Sequence, residues 1–223
     1  MHFLLFGATG RTGQHVVSQL LAQGHTAIAL VRNPASLAAR NGLTIVIGSP
    51  LSAADVKSAL LATATKPTAA IFTLNTVRES DSPFAAQVSP PRFLADSCAV
   101  ACKALEDEGI RRIVVMSTAG AGSSWGGLPL LSKAFMRWTN VKYALEDHDL
   151  LDEEIRRTNM DWTLVRPVKL EFEAGEGAAV QTLGDGGKGM KLSDSANVVS
   201  VAKFLVKTAV EGLYVKDAVV VRN

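Results

Sequence analysis

The stretch Phe3-Leu4-Leu5-Phe6-Gly7-Ala8-Thr9-Gly10-Arg11-Thr12-Gly13 decides how the chain is read. Four consecutive apolar residues end at a glycine. The spacing G-x-x-G-x-x-G then leads into Arg11 to Gln23, where Val16, Val17, Leu20 and Leu21 recur at helical intervals. An apolar strand, a glycine turn and an amphipathic helix in direct succession give each glycine a physical task. Gly7 permits the tight turn. Gly10 removes a side chain where backbone must approach a pyrophosphate, and Gly13 lets the helix pack closely on the strand. The helix N-terminus adds free N–H groups and the positive end of a dipole, which together attract phosphate. The stretch predicts dinucleotide binding, with Thr9, Arg11 and Thr12 beside the three glycines.

Outward from this unit the chain keeps alternating. Ala27 to Val31, Leu43 to Ile47, Ala69 to Leu74, Arg112 to Met116, Trp162 to Val165 and Ala218 to Val221 are short apolar runs. Pro91 to Glu108, Val141 to Arg157 and Ser195 to Val210 have helical spacing. Strands that are apolar throughout are buried on both faces, as in a parallel sheet between helices. The alternation predicts an α/β fold with a doubly wound, mainly parallel sheet (the Rossmann arrangement), in one domain over residues 1–223. Stretches 75–90, 118–139 and 168–192 lack the rhythm, and each follows the C-terminal end of a predicted strand. Open α/β sheets bind ligands at that edge, so these are expected to be substrate-side loops. They carry the isolated aromatics Phe84, Trp125, Phe135 and Phe172.

Composition narrows the function classes. The 223 residues are 48% hydrophobic and 20% charged, enough apolar material for a sizeable core. With 23 Lys+Arg against 21 Asp+Glu, the net charge of +2 argues against a nucleic-acid partner. Cys98 and Cys102 are the two cysteines, spaced as buried neighbours on one helix face, which excludes a disulfide scaffold and fits a reducing cytoplasm. No apolar run approaches the roughly 18 residues of a membrane span. Met1 to Gly7 lacks a basic flank and reads as a strand, not a signal peptide. A cytoplasmic monomer or homodimer acting on a small molecule, with no membrane partner, is the expectation.

The end of the second strand selects the dinucleotide. A site for NAD carries Asp or Glu there, to hold the ribose hydroxyls. Here Val31 is followed by Arg32-Asn33-Pro34, with no acid. The planar Arg32 fork suits a 2′-phosphate, and Arg11 is a second nearby cation, so NADP(H) is expected.

Four motifs in order now resemble a known family: Gly7-Ala8-Thr9-Gly10-Arg11-Thr12-Gly13, Val31-Arg32-Asn33-Pro34, Val114-Val115-Met116-Ser117-Thr118 and Asp161-Trp162-Thr163-Leu164-Val165-Arg166-Pro167. Together with Ser193-Asp194-Ser195-Ala196, they resemble the atypical short-chain dehydrogenase/reductases with an NAD(P)H-binding domain, in the branch of flavin reductase/biliverdin reductase B proteins and NmrA-like regulators. The resemblance covers nearly the whole chain. It implies that Thr9 to Gly13 hold the pyrophosphate and Arg32 the 2′-phosphate. Ser49 stands where the family often has an adenine-contacting Asp. Leu74 and Asn75 would line the path from adenosine to nicotinamide, Ser117 and Thr118 would lie near the nicotinamide ribose, and Pro167 and Val168 would border the carboxamide.

The standard Tyr-x-x-x-Lys dyad is missing. Tyr143 is followed at the fourth position by Asp147, and Tyr214 by Ala218. Counted back from Arg166-Pro167, Ala144 and His148 fall at the dyad's places in one register, Trp138 and Lys142 in another. Carbonyl chemistry with a tyrosine acid is therefore not expected, whereas hydride transfer to a flavin, quinone or other conjugated acceptor asks less of the protein. The candidate catalytic residues are Ser117, to hydrogen-bond an acceptor, and His148, to steer the ribose or supply a proton near neutrality. A redox sensor that binds NADP(H) without turnover, and a biosynthetic isomerase or cyclase, also fit the missing dyad. No metal is expected: the acids from Glu146 to Glu154 precede Arg156-Arg157 and read as a charge pattern complementing the helix dipole. Gly184-Asp185-Gly186-Gly187-Lys188-Gly189 lacks the Ser or Thr of a P-loop and reads as a flexible hairpin or lid.

Overall fold

The computed structural model describes residues 1–172 and 177–223. Residues 173–176, part of the expected loop 168–192, lie outside the described residues. The elements run β1 (His2–Phe6), α1 (Arg11–Ala22), β2 (Thr26–Val31), β3 (Leu43–Ile47), α2 (Ala53–Leu60), β4 (Ala69–Phe72), α3 (Phe93–Asp107) and β5 (Arg112–Met116). Then follow α4 (Leu130–Trp138), α5 (Val141–Ile155), β6 (Asp161–Pro167), β7 (Lys169–Glu171), β8 (Gln181–Thr182), β9 (Ser195–Asn197), α6 (Val198–Glu211) and β10 (Asp217–Arg222).

An eight-stranded sheet has the order β3-β2-β1-β4-β5-β6-β10-β8. Every pairing is parallel except β10 with the short β8. A small parallel pair, β7 with β9, stands beside it. The expected doubly wound α/β sheet is thus present, and its order reverses between β1 and β4.

Side chains alternate across a strand, so β1 feeds two cores. Phe3 and Leu5 pack with Val16, Val17 and Leu20 of α1 and Val201, Leu205 and Val206 of α6. Leu4 and Phe6 face the other layer, with Val56 and Leu60 of α2, Leu94 and Leu105 of α3, and Leu151 and Ile155 of α5. Phe6 and Phe72 meet with ring centroids 5.6 Å apart. Cys98 and Cys102 are free and buried in this layer, with Sγ atoms 4.0 Å apart.

Four expectations need correction. The β4 strand ends at Phe72, and the Thr73 N–H and hydroxyl both bond the Phe6 carbonyl, at 2.8 and 3.0 Å. Ser195–Asn197 is a strand paired with β7, and α6 starts only at Val198, where Asn197 Oδ1 accepts the Val199 N–H. The stretch 118–139 contains the helix α4. The segment around Asp185 is no free lid: the Asp185 carboxylate is bonded to the buried Arg166, and a Cβ on Gly127 would lie 2.3 Å from the Gly186 carbonyl oxygen.

Candidate active site

The glycine turn has the strain and closeness its sequence predicts. Gly7 has φ +83°, and a Cβ there would lie 2.7 Å from the Thr73 carbonyl carbon. A Cβ on Gly13 would lie 2.0 Å from the Gly7 oxygen, so the first turn of α1 rests directly on the strand end. Gly10 occupies the capping position and offers no side chain to the first-turn N–H groups, which leaves them to a ligand.

A groove of about 470 Å³ runs over this turn. Gly7, Thr9, Gly10, Arg11 and Thr12 line it, as do Arg32, Leu74, Asn75, Thr118 and His148. Its walls carry three cations. Arg11 lies 3.7 Å over the Phe172 ring and 3.6 Å from Asp81. Arg32 stands 5.9 Å from the Phe93 ring centroid. Arg78, which sequence reading passed over, has its buried Nε without a hydrogen-bond partner among the described residues. Its only signal was a cation on a loop leaving the C-terminal end of β4. Gly13 lines neither this groove nor the next cavity, consistent with a packing role. Ser49 lines neither as well; its N–H donates to Asp55 Oδ2 at 2.8 Å.

A second cavity, of about 580 Å³, opens into the groove. Both are bordered by Leu74, Asn75, Met116, Thr118, Met136, His148 and Leu170. Its other walls are largely apolar, including Leu128, Phe135 and Met190, and both Pro167 and Val168 belong to it. Ser117 lies on this side of the junction, with Oγ 3.4 Å from His148 Nδ1. Of the two registers, Ala144 and His148 face the groove while Trp138 and Lys142 do not.

His148 is 5% exposed, and burial first, then the Arg166 guanidinium, pushes its pKa down to about 4. This corrects the expectation of a near-neutral proton source: at pH 7 the imidazole is uncharged and pairs with the Ser117 hydroxyl. A histidine whose folded pKa lies below the ordinary 6.5 contributes fully to stability above 6.5, and that contribution drains as pH falls towards 4. In an NMR titration the His148 ring signal should stay in its neutral position from pH 8 to about 5.5. His148→Gln should remove its share of the acid-side loss in urea unfolding. A ring titrating near 6.5 would contradict the burial.

Beneath the cavity lies a buried ion network. Arg166 is fully buried; its Nη2 donates to Asp152 Oδ1 at 3.0 Å, and its Nη1 to Asp185 Oδ1 at 2.7 Å and Ser123 Oγ at 2.9 Å. Arg156 also pairs with Asp152, at 3.1 Å. Asp147 accepts the Leu94 and Ala95 N–H groups at 2.9 and 3.0 Å, closing the N-terminus of α3. The acids of α5 that read as a dipole pattern are therefore in part interior struts. Asp152, four residues from His148, is turned to arginines and not to a shared metal position.

A family model described as NAD(P)H-binding matches residues 7–211. The chain belongs to this NAD(P)H-binding family. The protein is 27% identical over 217 residues to the UPF0659 protein YMR090W of Saccharomyces cerevisiae, covering 93% of this chain and 86% of that one. Among solved structures, the NAD(P)H-binding chain superposes with TM-score 0.77 on a short-chain dehydrogenase/reductase (wide type) from Veillonella parvula in complex with NADP, at 18% identity over 100% of this chain and 94% of that one. ChuY, an anaerobillin reductase from Escherichia coli, gives TM-score 0.74 at 19% identity, covering 99% and 96%. These structural likenesses establish the fold. No helix among the described residues is long and apolar enough to cross a membrane.

Proposed function

We propose that this NAD(P)H-binding protein is an NADPH-dependent reductase of a flavin, quinone or other conjugated acceptor. The observation that carries the reading is the junction itself: a phosphate-suited groove and a large apolar cavity meet at Thr118 and His148, beside Ser117. The reductase activity printed for ChuY accords with it. The glycine cradle, which a Cβ at Gly7 or Gly13 would fill, fits a pyrophosphate. Arg32, at the end of β2 where no acid stands, would take the 2′-phosphate, with Arg11 and Arg78 adding positive charge along the groove. When bound, the nicotinamide supplies a hydride, and the acceptor takes that hydride with one proton.

The chain's own groups orient and shield. The Ser117 hydroxyl donates to an acceptor oxygen or nitrogen while the neutral His148 ring holds that hydroxyl in place. The apolar walls exclude water from the flat face of the acceptor. No tyrosine is needed, because a conjugated acceptor spreads the incoming charge itself and its reduced form takes its proton from solvent.

NADPH consumption followed by near-ultraviolet absorbance, against flavins, quinones and enones, tests the reading. Arg32→Ala should raise the KM for NADPH about tenfold, the loss of one charge-assisted contact, with NADH little affected. Tight NADPH binding with no oxidation by any acceptor would overturn the reductase in favour of a sensor or an isomerase. An unchanged NADPH KM in the variant would remove Arg32 from the phosphate site.

A further inference from the structure

Helix α4 turns its apolar stripe towards solvent. Leu130, Leu131, Ala134, Phe135 and Trp138 fall on one side of the helix, and the four large ones are 83%, 68%, 50% and 83% exposed. Lys133 and Arg137 flank this side at one edge, their cations 5.9 and 5.0 Å from the Trp125 ring centroid, while Ser132 and Met136 fall on the opposite side. A helix that serves a core buries its apolar face; this one does the reverse. Clustered apolar side chains left in water mark an interaction surface.

The patch is continuous with the apolar cavity. Leu131 and Phe135 form part of the cavity wall, and the exposed Leu192 stands on the same rim. Just after Trp138, Asn140 Nδ2 donates to the Phe84 and Ala85 carbonyls at 2.9 and 3.1 Å, which ties the loop bearing the exposed Phe84 to this end of α4.

Charge selects the occupant. The α4 sequence contains Lys133 and Arg137 and no acid, and the rim adds the exposed Lys169 and Lys191. The rim carboxylate, Asp194, is bonded to Arg222 at 2.8 Å. Two copies of this chain pairing symmetrically through the face would set these cations against each other, whereas an anionic surface attracts all of them. Tryptophan beside lysine and arginine at the edge of an apolar face is the composition of a helix lying in a membrane interface.

We propose that α4 and the adjoining cavity rim dock on an anionic lipid bilayer, with Leu130, Leu131, Phe135 and Trp138 at the boundary of headgroups and acyl chains. Docking in this way turns the cavity mouth to the lipid, so that an apolar ligand enters without crossing water. It departs from the expectation of no membrane partner. That expectation rested on the lack of a long apolar run, and a surface helix of 9 residues leaves none.

The test is co-sedimentation of the full chain with vesicles of phosphatidylcholine alone or mixed equally with phosphatidylglycerol. The protein should pellet with the mixed vesicles, and the emission of Trp138, identified by its loss in Trp138→Phe, should shift to the blue. Leu130→Glu with Trp138→Glu, neither residue lining a cavity, should weaken vesicle binding at least tenfold while NADPH affinity, a check on folding, stays the same. Lys133→Gln and Arg137→Gln should each cost roughly fivefold. Protein remaining in the supernatant with both vesicle types would overturn the proposal. So would equal binding to neutral vesicles, or a dimer in sedimentation equilibrium that Leu130→Glu splits into monomers.

Discussion

Arg166→Leu is expected to destabilise the protein by about 3–5 kcal/mol, the cost of breaking a buried ion pair from one side. Leucine fills much of the volume but leaves Asp152, 8% exposed at its side chain, and Asp185 without the guanidinium that both now share. Arg156 reaches Asp152 from the surface and recovers part of the loss. The network fastens β6 to α5, to the turn at Ser123 and to the segment at Asp185, so the floor of the apolar cavity should loosen with it. Urea unfolding of both proteins measures the difference, and the melting temperature should drop by about 10 °C or more. A second readout separates charge from packing. Arg166 is one of the two causes that hold His148 low, so the His148 pKa should rise in the variant. A stability loss below about 1 kcal/mol would show that water reaches the two carboxylates and replaces the arginine.

Gly13→Ala should weaken NADPH binding about 100-fold, the usual scale for moving binding groups by roughly an ångström. The added Cβ would sit 2.0 Å from the Gly7 oxygen and 2.9 Å from the Ala8 Cα, both backbone atoms that have no rotamer to escape into. The first turn of α1 must therefore lift away from β1. Its N–H groups move with it, off the place where Gly7 and Gly10 would bring the backbone to a pyrophosphate. Titration of NADPH fluorescence measures the affinity, and far-ultraviolet circular dichroism checks that the fold survives. A change below threefold would mean that the turn tolerates the shift and that the fit at Gly13 serves stability alone.

Much of this protein is legible without coordinates because its signals are local. An apolar run followed by G-x-x-G-x-x-G demands a strand, a tight turn and a closely packed helix within 11 residues, and the structure has the turn at Gly7 and the close packing at Gly13. The six other runs read as strands are largely apolar, as the interior of a parallel sheet requires, and all six lie in the eight-stranded sheet. Two helices were less legible. The pattern Ser52-Ala53-Ala54-Asp55 carries a capping signal, with Ser52 Oγ accepting the Asp55 N–H at 3.2 Å, yet α2 spans only 8 residues and shows little periodicity. Helix α4 has periodic apolar residues that point to solvent, so core-seeking arguments do not find it.

What the sequence by itself determined is therefore the sheet, the phosphate turn, the cationic end of β2 and the absence of the tyrosine dyad. Each depends on residues close together in the chain. Only the tertiary structure decided what His148 is. The same residue on a solvated helix would titrate near neutrality; here Leu94 and Ala95 are bonded to neighbouring Asp147, and Arg166 comes from a strand 18 positions away to lie near its ring. The tertiary structure likewise decided that Asp152 and Asp185 meet one arginine, that Arg78 joins the groove, and that the apolar cavity opens at Thr118 and His148. Burial and long-range charge depend on which distant segments the fold brings together, and no local pattern encodes that distance.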